Sequence, residues 1–248
     1  MTYLSDILSD VDFQSRRQDL IQKMQSDETA YLNFMKLFVE LMKYEYVSSK
    51  DWQGVPIVKL PEDILVIQEF HFEYRPTAVI EVGVARGGSV ALAASMQQLN
   101  GIAPNILGLD IKIFEHTKKA LSAYVENGWL TLFQEDSTSP LSLKKIQEFV
   151  KGHSKVFAIL DSNHSHEHVY KELKIMDLAL PAGSVVLVAD GIIEHLPARN
   201  DRPWGTGNSP ATAVKQFLQD NQNWKAVEKY SRRSIFSEFR DGWIEKIR

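Results

Sequence analysis

Glu81-Val82-Gly83-Val84-Ala85-Arg86-Gly87-Gly88-Ser89 closes a short apolar run over 78–82 and opens a helical pattern from Ser89. A strand, a glycine loop and a helix in that order form the first unit of a doubly wound α/β sheet. The same beat continues along the chain. Apolar runs at 106–109, 130–133, 156–160 and 185–188 are separated by helical patterns, one of them from Glu115. Runs without polar alternation, spaced by helices, predict a parallel sheet covered on both faces. Near the end, 226–230 and 234–239 read as strands, and Arg240-Asp241-Gly242 is a turn before 243–247, which predicts a terminal antiparallel hairpin.

Upstream of the loop, the polar-then-apolar stretch 12–46 carries Leu32, Met35, Phe38, Val39 and Met42 at helical spacing. It reads as a helical cap whose stripe offers a packing or homo-oligomer surface, because no polar cluster converges in it. Trp52-Gln53-Gly54-Val55-Pro56 is a turn-rich connector, and Pro61 starts another helix that runs to Arg75-Pro76. The expected division is a cap and connector over 1–60 and a catalytic domain over 61–248.

With 248 residues, 44% hydrophobic and 24% charged, the chain can bury one sizeable α/β core. A net charge of -4 with scattered Lys and Arg gives no basic stripe, so nucleic acid is not an expected partner. The absence of cysteine excludes disulfides, thiolate catalysis and zinc–thiolate sites. Residues 1–10 contain no basic leader, and no apolar run is long enough to span a bilayer, so the expected location is cytoplasmic, away from membranes.

Chemistry gathers at the strand ends. Gly83, Gly87 and Gly88 suit positive φ and close ligand approach, but Ala85 breaks the Gly-x-Gly-x-x-Gly dinucleotide pattern and no Gly-Lys-Ser or Gly-Lys-Thr follows. Glu81 would repel a diphosphate and welcome the cationic amino acid moiety of a methionine-bearing cofactor. Asp110 ends the second strand where a carboxylate accepts ribose hydroxyls, and Asp136-Ser137 closes the third, in place to read an adenine amino group. Ala85, Arg86 and Ser89 complete the expected cofactor set.

Three stretches together resemble the cephalosporin hydroxylase and rhamnosyl O-methyltransferase family. They are the glycine loop, Leu160-Asp161-Ser162-Asn163-His164-Ser165-His166-Glu167-His168-Val169, and Arg202-Pro203-Trp204-Gly205-Thr206-Gly207-Asn208-Ser209-Pro210. The resemblance extends from about Trp52 to the end. It implies a class I Rossmann-like methyltransferase, with a mostly parallel seven-stranded sheet and S-adenosylmethionine as cofactor. It also implies a divalent metal, Mg²⁺ by preference, and a sugar or small natural-product hydroxyl as acceptor. Asp161 is then a metal ligand that also borders the cofactor, His164 the general base, and Asp190 a second ligand. Related metal-dependent members carry an acidic pair where this chain has Ala189-Asp190, one carboxylate fewer, with Glu194 a candidate replacement. Metal-independent transfer and a non-catalytic scaffold of the same fold are the competing expectations.

His164, His166 and His168 invite a zinc reading, which the divergent directions of helical neighbours two apart argue against. His166 and His168 are expected on a solvated face. The stretch 199–210, rich in Gly, Pro and Asn around Trp204, reads as a lid over the acceptor, with Arg202 and Trp204 as candidate substrate contacts.

Overall fold

The computed structural model describes residues 10–248; the first nine residues of the expected cap lie outside it. In chain order come α1 (Asp10–Gln25), α2 (Glu28–Met42), β1 (Lys50–Trp52), β2 (Val55–Ile57), α3 (Pro61–Tyr74), β3 (Ala78–Val82), α4 (Gly88–Leu99) and β4 (Ile106–Asp110). They are followed by α5 (Glu115–Ala120), α6 (Ser122–Glu126), β5 (Leu130–Gln134), α7 (Pro140–Phe149), β6 (Val156–Leu160), α8 (His166–Ala179) and β7 (Val185–Val188). A 3₁₀ turn (Gly191–His195), α9 (Pro210–Asp220), β8 (Trp224–Ala226), α10 (Glu228–Ser231) and β9 (Trp243–Lys246) close the described chain. No helix among the described residues is long and apolar enough to cross a membrane.

Among the described residues, a seven-stranded sheet runs β5-β4-β3-β6-β7-β9-β8. The pairs from β5 through β7 are parallel, and β9 is antiparallel to both β7 and β8. The chain winds outward from β3 to β5, then returns to place β6 on the other side of β3. The switch point therefore lies between β3 and β6, where their carboxyl ends leave a crevice. Ala78, Ile80 and Val82 face one layer with Leu173, Met176 and Phe217, while Val79 faces the other with Phe70, Leu92 and Trp243. In that second layer Phe157 and Trp243 stack with centroids 5.7 Å apart.

Local chemistry sets the helix starts. Pro61 occupies the first turn of α3, with Glu62 favourably placed against the helix dipole. Ser209 caps α9 in a reciprocal capping box with Thr212. The expected connector is a two-residue hairpin: Gln53 (φ 49°) and Gly54 (φ 79°) are both left-handed, as a tight β-turn of the primed type requires. Trp52 Nε1 donates to Ser95 Oγ at 2.9 Å, docking this hairpin on α4.

Two expectations about local structure need correction. In α2 the buried stripe is Tyr31, Phe34, Met35 and Phe38, packed on Leu60, Ile192, Ile193 and Leu196, whereas Leu32 is 58% exposed and Val39 36%. The aromatic rings, not the aliphatic residues, chose the face, because they bury more area per residue. At the carboxyl end the antiparallel pair is β8 with β9; of 226–230 only Ala226 lies in a strand, with α10 starting at Glu228, and 234–239 is not a strand. Its backbone donors go elsewhere: Glu238 N to Asp63 Oδ2 at 2.8 Å and Phe239 N to Ser237 Oγ at 3.0 Å.

Candidate active site

The end of β3 and the end of β6 touch at Gly83. Its φ is 94°, and a Cβ there would lie 2.0 Å from the Asp161 carbonyl oxygen, so only glycine fits. Asp161 N in turn donates to Val82 O at 2.8 Å, and Gly83 N to Leu109 O at 2.8 Å. Gly87 is also left-handed, but Gly88 is helical, and its missing side chain serves packing: a Cβ would meet Pro56 O at 2.4 Å. That part of the glycine signal belongs to the hairpin rather than to ligand approach.

Asp110 accepts Val84 N at 2.9 Å and Ala85 N at 3.1 Å through Oδ2, and Lys112 N at 2.9 Å through Oδ1. The acid at the end of β4 thus pins the glycine loop. Asp136 Oδ1 accepts both the N and Oγ1 of Thr138 at 2.8 Å, and these bonds hold its carboxyl below the usual range. Arg86 turns outward to His116 Nε2 at 3.0 Å, away from both cavities of the crevice.

One of these cavities, about 330 Å³, is lined by Asp110, Asp136, Ser137 and His168. The second, about 460 Å³, is lined by Lys59, His164, Asp190, Arg202 and Glu238, with an apolar wall from Phe38, Ile192 and Leu196. Gly83, Ala85, Asp161 and Ser162 line both, so the two cavities meet at the switch point. A cavity of about 490 Å³ between α1 and α3 contains none of these strand-end carboxylates.

Asp161, His164 and Asp190 stand at this junction, with one ligand atom of each lying within 4.8 Å of the others. His164 Nε2 is 3.2 Å from Asp190 Oδ2, and the Trp204 ring meets the imidazole edge-on with centroids 5.3 Å apart. Asp190 has φ 59°, left-handed for a residue with a side chain, a strain typical of functional positions. Burial opposes ionisation of Asp161, but the Lys59 ammonium and His164 outweigh it and hold that carboxyl low. For Asp190 burial wins against His164 and, with the Asp161 charge, pushes the carboxyl up.

Lys59 escaped the reading of the sequence, as did Glu238. Only 1% exposed, Lys59 reaches from the segment after β2 to place Nζ 3.0 Å from Asp161 Oδ2 and 5.2 Å from the Phe239 ring centroid. A lysine between Val58 and Leu60 is the signal that was available. Glu238 lay in a stretch read as a strand, and nothing local marked it; burial and the nearby Asp190 and Asp63 push its carboxyl well up.

Glu81 lies beneath the glycine loop, 1% exposed, and lines neither cavity. Burial, opposed by Lys59, pushes it up to about 7. The Ser89 side chain bears on this carboxyl by hydrogen bonding and opposes the rise. Glu194 is spoken for: it accepts Ser209 Oγ at 2.6 Å and Gly207 N at 3.0 Å, anchoring the loop before α9, and does not replace the carboxylate missing at Ala189. His166 bonds Thr212 and Gln216, and His168 lies in a buried network with Glu172, so neither sits on a solvated face.

The two carboxylates at the junction, Asp161 and Asp190, suit a divalent cation, and one oxygen of Asp161 remains clear of Lys59, while the His164 imidazole beside them stays available as a base. A doubly wound sheet with a glycine loop at its switch point, acids on successive strand ends and an antiparallel final pair defines a class I S-adenosylmethionine-dependent O-methyltransferase. The chain belongs to the rhamnosyl O-methyltransferase/CmcI family, whose model matches residues 44–247. The rhamnosyl O-methyltransferase of Mycobacterium tuberculosis is 31% identical over 174 residues, 69% of this chain and 67% of that one. Among solved structures, apo CmcI superposes with a TM-score of 0.63 at 21% identity, covering 81% of this chain and 77% of its own. CmcI with Mg and SAM gives 0.55 at 19%, covering 81% and 78%.

Proposed function

We propose that this chain transfers the methyl group of S-adenosylmethionine to a hydroxyl of a sugar or small natural product, assisted by a divalent metal, Mg²⁺ by preference. The observation that carries this reading is the meeting of two cavities at Gly83, Ala85, Asp161 and Ser162, with Asp161, His164 and Asp190 at the junction. An in-line displacement needs cofactor and acceptor to approach from opposite sides of one point.

In this reading the smaller cavity takes the cofactor. Gly83 and Ala85 line its path, Asp110 takes the ribose hydroxyls, and Asp136 with Ser137 faces the adenine. Gly87, Gly88 and Ser89 shape the loop from behind, and Glu81 acts on it from below. The larger cavity takes the acceptor, with His164 on its wall and the Arg202 guanidinium at the rim, while Trp204, edge-on to His164, lines the smaller cavity instead. His164 removes the proton of the acceptor hydroxyl, and Asp190 Oδ2, 3.2 Å from Nε2, stabilises the imidazolium that forms. Asp161 and Asp190 would hold the metal, which when bound polarises the acceptor oxygen. Lys59 fixes the orientation of Asp161. The related fold of CmcI has been solved with Mg and SAM, which supports the choice of both groups.

Transfer of labelled methyl to a rhamnose-terminated glycoside tests the reading. Turnover should fall by roughly 10²–10⁴-fold in His164→Ala and be lost to chelator. Unchanged turnover in that variant would remove the histidine from catalysis. The Lys59–Asp161 pair and Ala189 favour a second reading, in which transfer needs no metal; activity that survives chelator and tolerates Asp190→Asn would select it.

A further inference from the structure

Behind the smaller cavity lies a buried carboxylate that the methyl-transfer reading does not use. Glu172, on α8, is 1% exposed, and its Oε1 accepts Ser137 Oγ at 2.5 Å and Ser162 Oγ at 2.6 Å. His168 Nε2 is 3.1 Å from the same oxygen, while Glu172 Oε2 is buried without a partner. The two serines follow β5 and β6, so one carboxylate ties together the ends of strands that are not neighbours in the sheet. Ser137, Ser162 and His168 all line the cavity; Glu172 stands behind them.

This arrangement decides which way hydrogen bonds run at the cavity wall. A serine hydroxyl has one proton, and both serines give theirs to Glu172, leaving only lone pairs for a ligand. His168 cannot reverse this, since an unprotonated Nε2 facing a carboxylate oxygen at 3.1 Å would be repelled; the ring nitrogen carries a proton and spends it on the same network. Asp136, beside Ser137, contributes a carboxylate, again an acceptor. The wall formed by Asp136 and Ser137 therefore presents acceptors to its ligand.

We propose that Glu172 is a positioning residue that fixes Ser137 as an acceptor, so that the cofactor cavity selects a 6-amino purine and rejects its 6-oxo counterpart. This rests on the cofactor reading above, which puts the base beside Asp136 and Ser137. The adenine amino group donates into the wall, whereas a 6-oxo group there faces another acceptor and leaves both buried and unpaired.

The test compares S-adenosylhomocysteine with S-inosylhomocysteine, its deaminated 6-oxo analogue, by calorimetry on the full chain. The wild type should prefer the adenine form by roughly 10–100-fold. In Glu172→Gln the side-chain amide can donate to Ser137 and turn the serine proton toward the cavity, so the preference should shrink at least about fivefold. A merely structural loss would weaken both ligands alike and leave their ratio unchanged, which would overturn the proposal. Ser137→Ala, a smaller change that keeps the carboxylate, should also lower the ratio; a preserved ratio there overturns it too. Equal affinity of the wild type for the two ligands overturns this proposal alone, whereas no binding of either overturns the cofactor reading and this inference with it.

Discussion

The ammonium of Lys59 stands 3.0 Å from Oδ2 of Asp161, joining the segment that follows the β1–β2 hairpin to the end of β6. The lysine is almost wholly enclosed, and Glu81 and Glu238 also bear on its charge. Breaking a buried pair by deleting one partner leaves an uncompensated charge. Lys59→Met should therefore cost about 3 kcal/mol or more in urea unfolding. A loss under about 0.5 kcal/mol would mean that solvent reaches Asp161 freely.

Asp63 provides a pH dependence. Burial pushes its carboxyl from 3.8 up to about 7, against hydrogen bonds from Ser237 and the Glu238 backbone. The folded state thus holds this proton more tightly than the unfolded one, and the resulting stability is fully present below pH 3.8 and lost as pH rises through about 7. The urea midpoint should fall between pH 5 and pH 8, with this group contributing at most about 1.4 kcal/mol per pH unit. In Asp63→Asn the decline should be shallower, though not abolished, because Glu81 titrates in the same direction. Parallel declines in the two proteins would contradict this.

Much of the fold was legible because its signals are local and redundant. The runs over 78–82, 106–109, 130–133, 156–160 and 185–188 match β3 to β7 within a residue, and Pro61 begins α3 as read. Apolar runs between helices leave few arrangements other than a parallel sheet. The carboxyl-terminal stretch 234–239 was misread because its apolar and polar residues alternate as in a strand, while its partners, Asp63 and Lys59, are remote in sequence. The site divides the same way. Asp110, Asp136, Asp161 and Asp190 could be picked out because they end strands. Lys59, Glu172 and Glu238 could not, since their importance comes from what the topology brings beside them.

Gly83 should tolerate no side chain. Gly83→Ala puts a Cβ 2.0 Å from the Asp161 carbonyl oxygen at φ 94°, so β3 and β6 must separate at the switch point. Loss of about 3 kcal/mol or more in chemical denaturation is expected, with weakened S-adenosylhomocysteine binding in any folded fraction. Near-native stability and affinity would show that the strand ends yield easily.

Glu194 holds the loop that carries Arg202 and Trp204, through Ser209 Oγ and Gly207 N. Glu194→Ala should speed amide exchange across 200–209 and, because Arg202 lines the larger cavity and Trp204 the smaller, raise KM for the acceptor and weaken S-adenosylhomocysteine, each several-fold. Unaltered exchange in this loop would show that other contacts hold it.

Calorimetric titration of the folded chain with S-adenosylhomocysteine decides whether the strand-end crevice is a cofactor site joined to an acceptor site. Saturable binding of one ligand per chain is expected, weakened about tenfold or more in Asp110→Ala, which removes both the carboxylate facing the ribose and the anchor of the glycine loop. A folded wild-type protein that gives no binding heat and shows no thermal shift with this ligand would contradict that assignment.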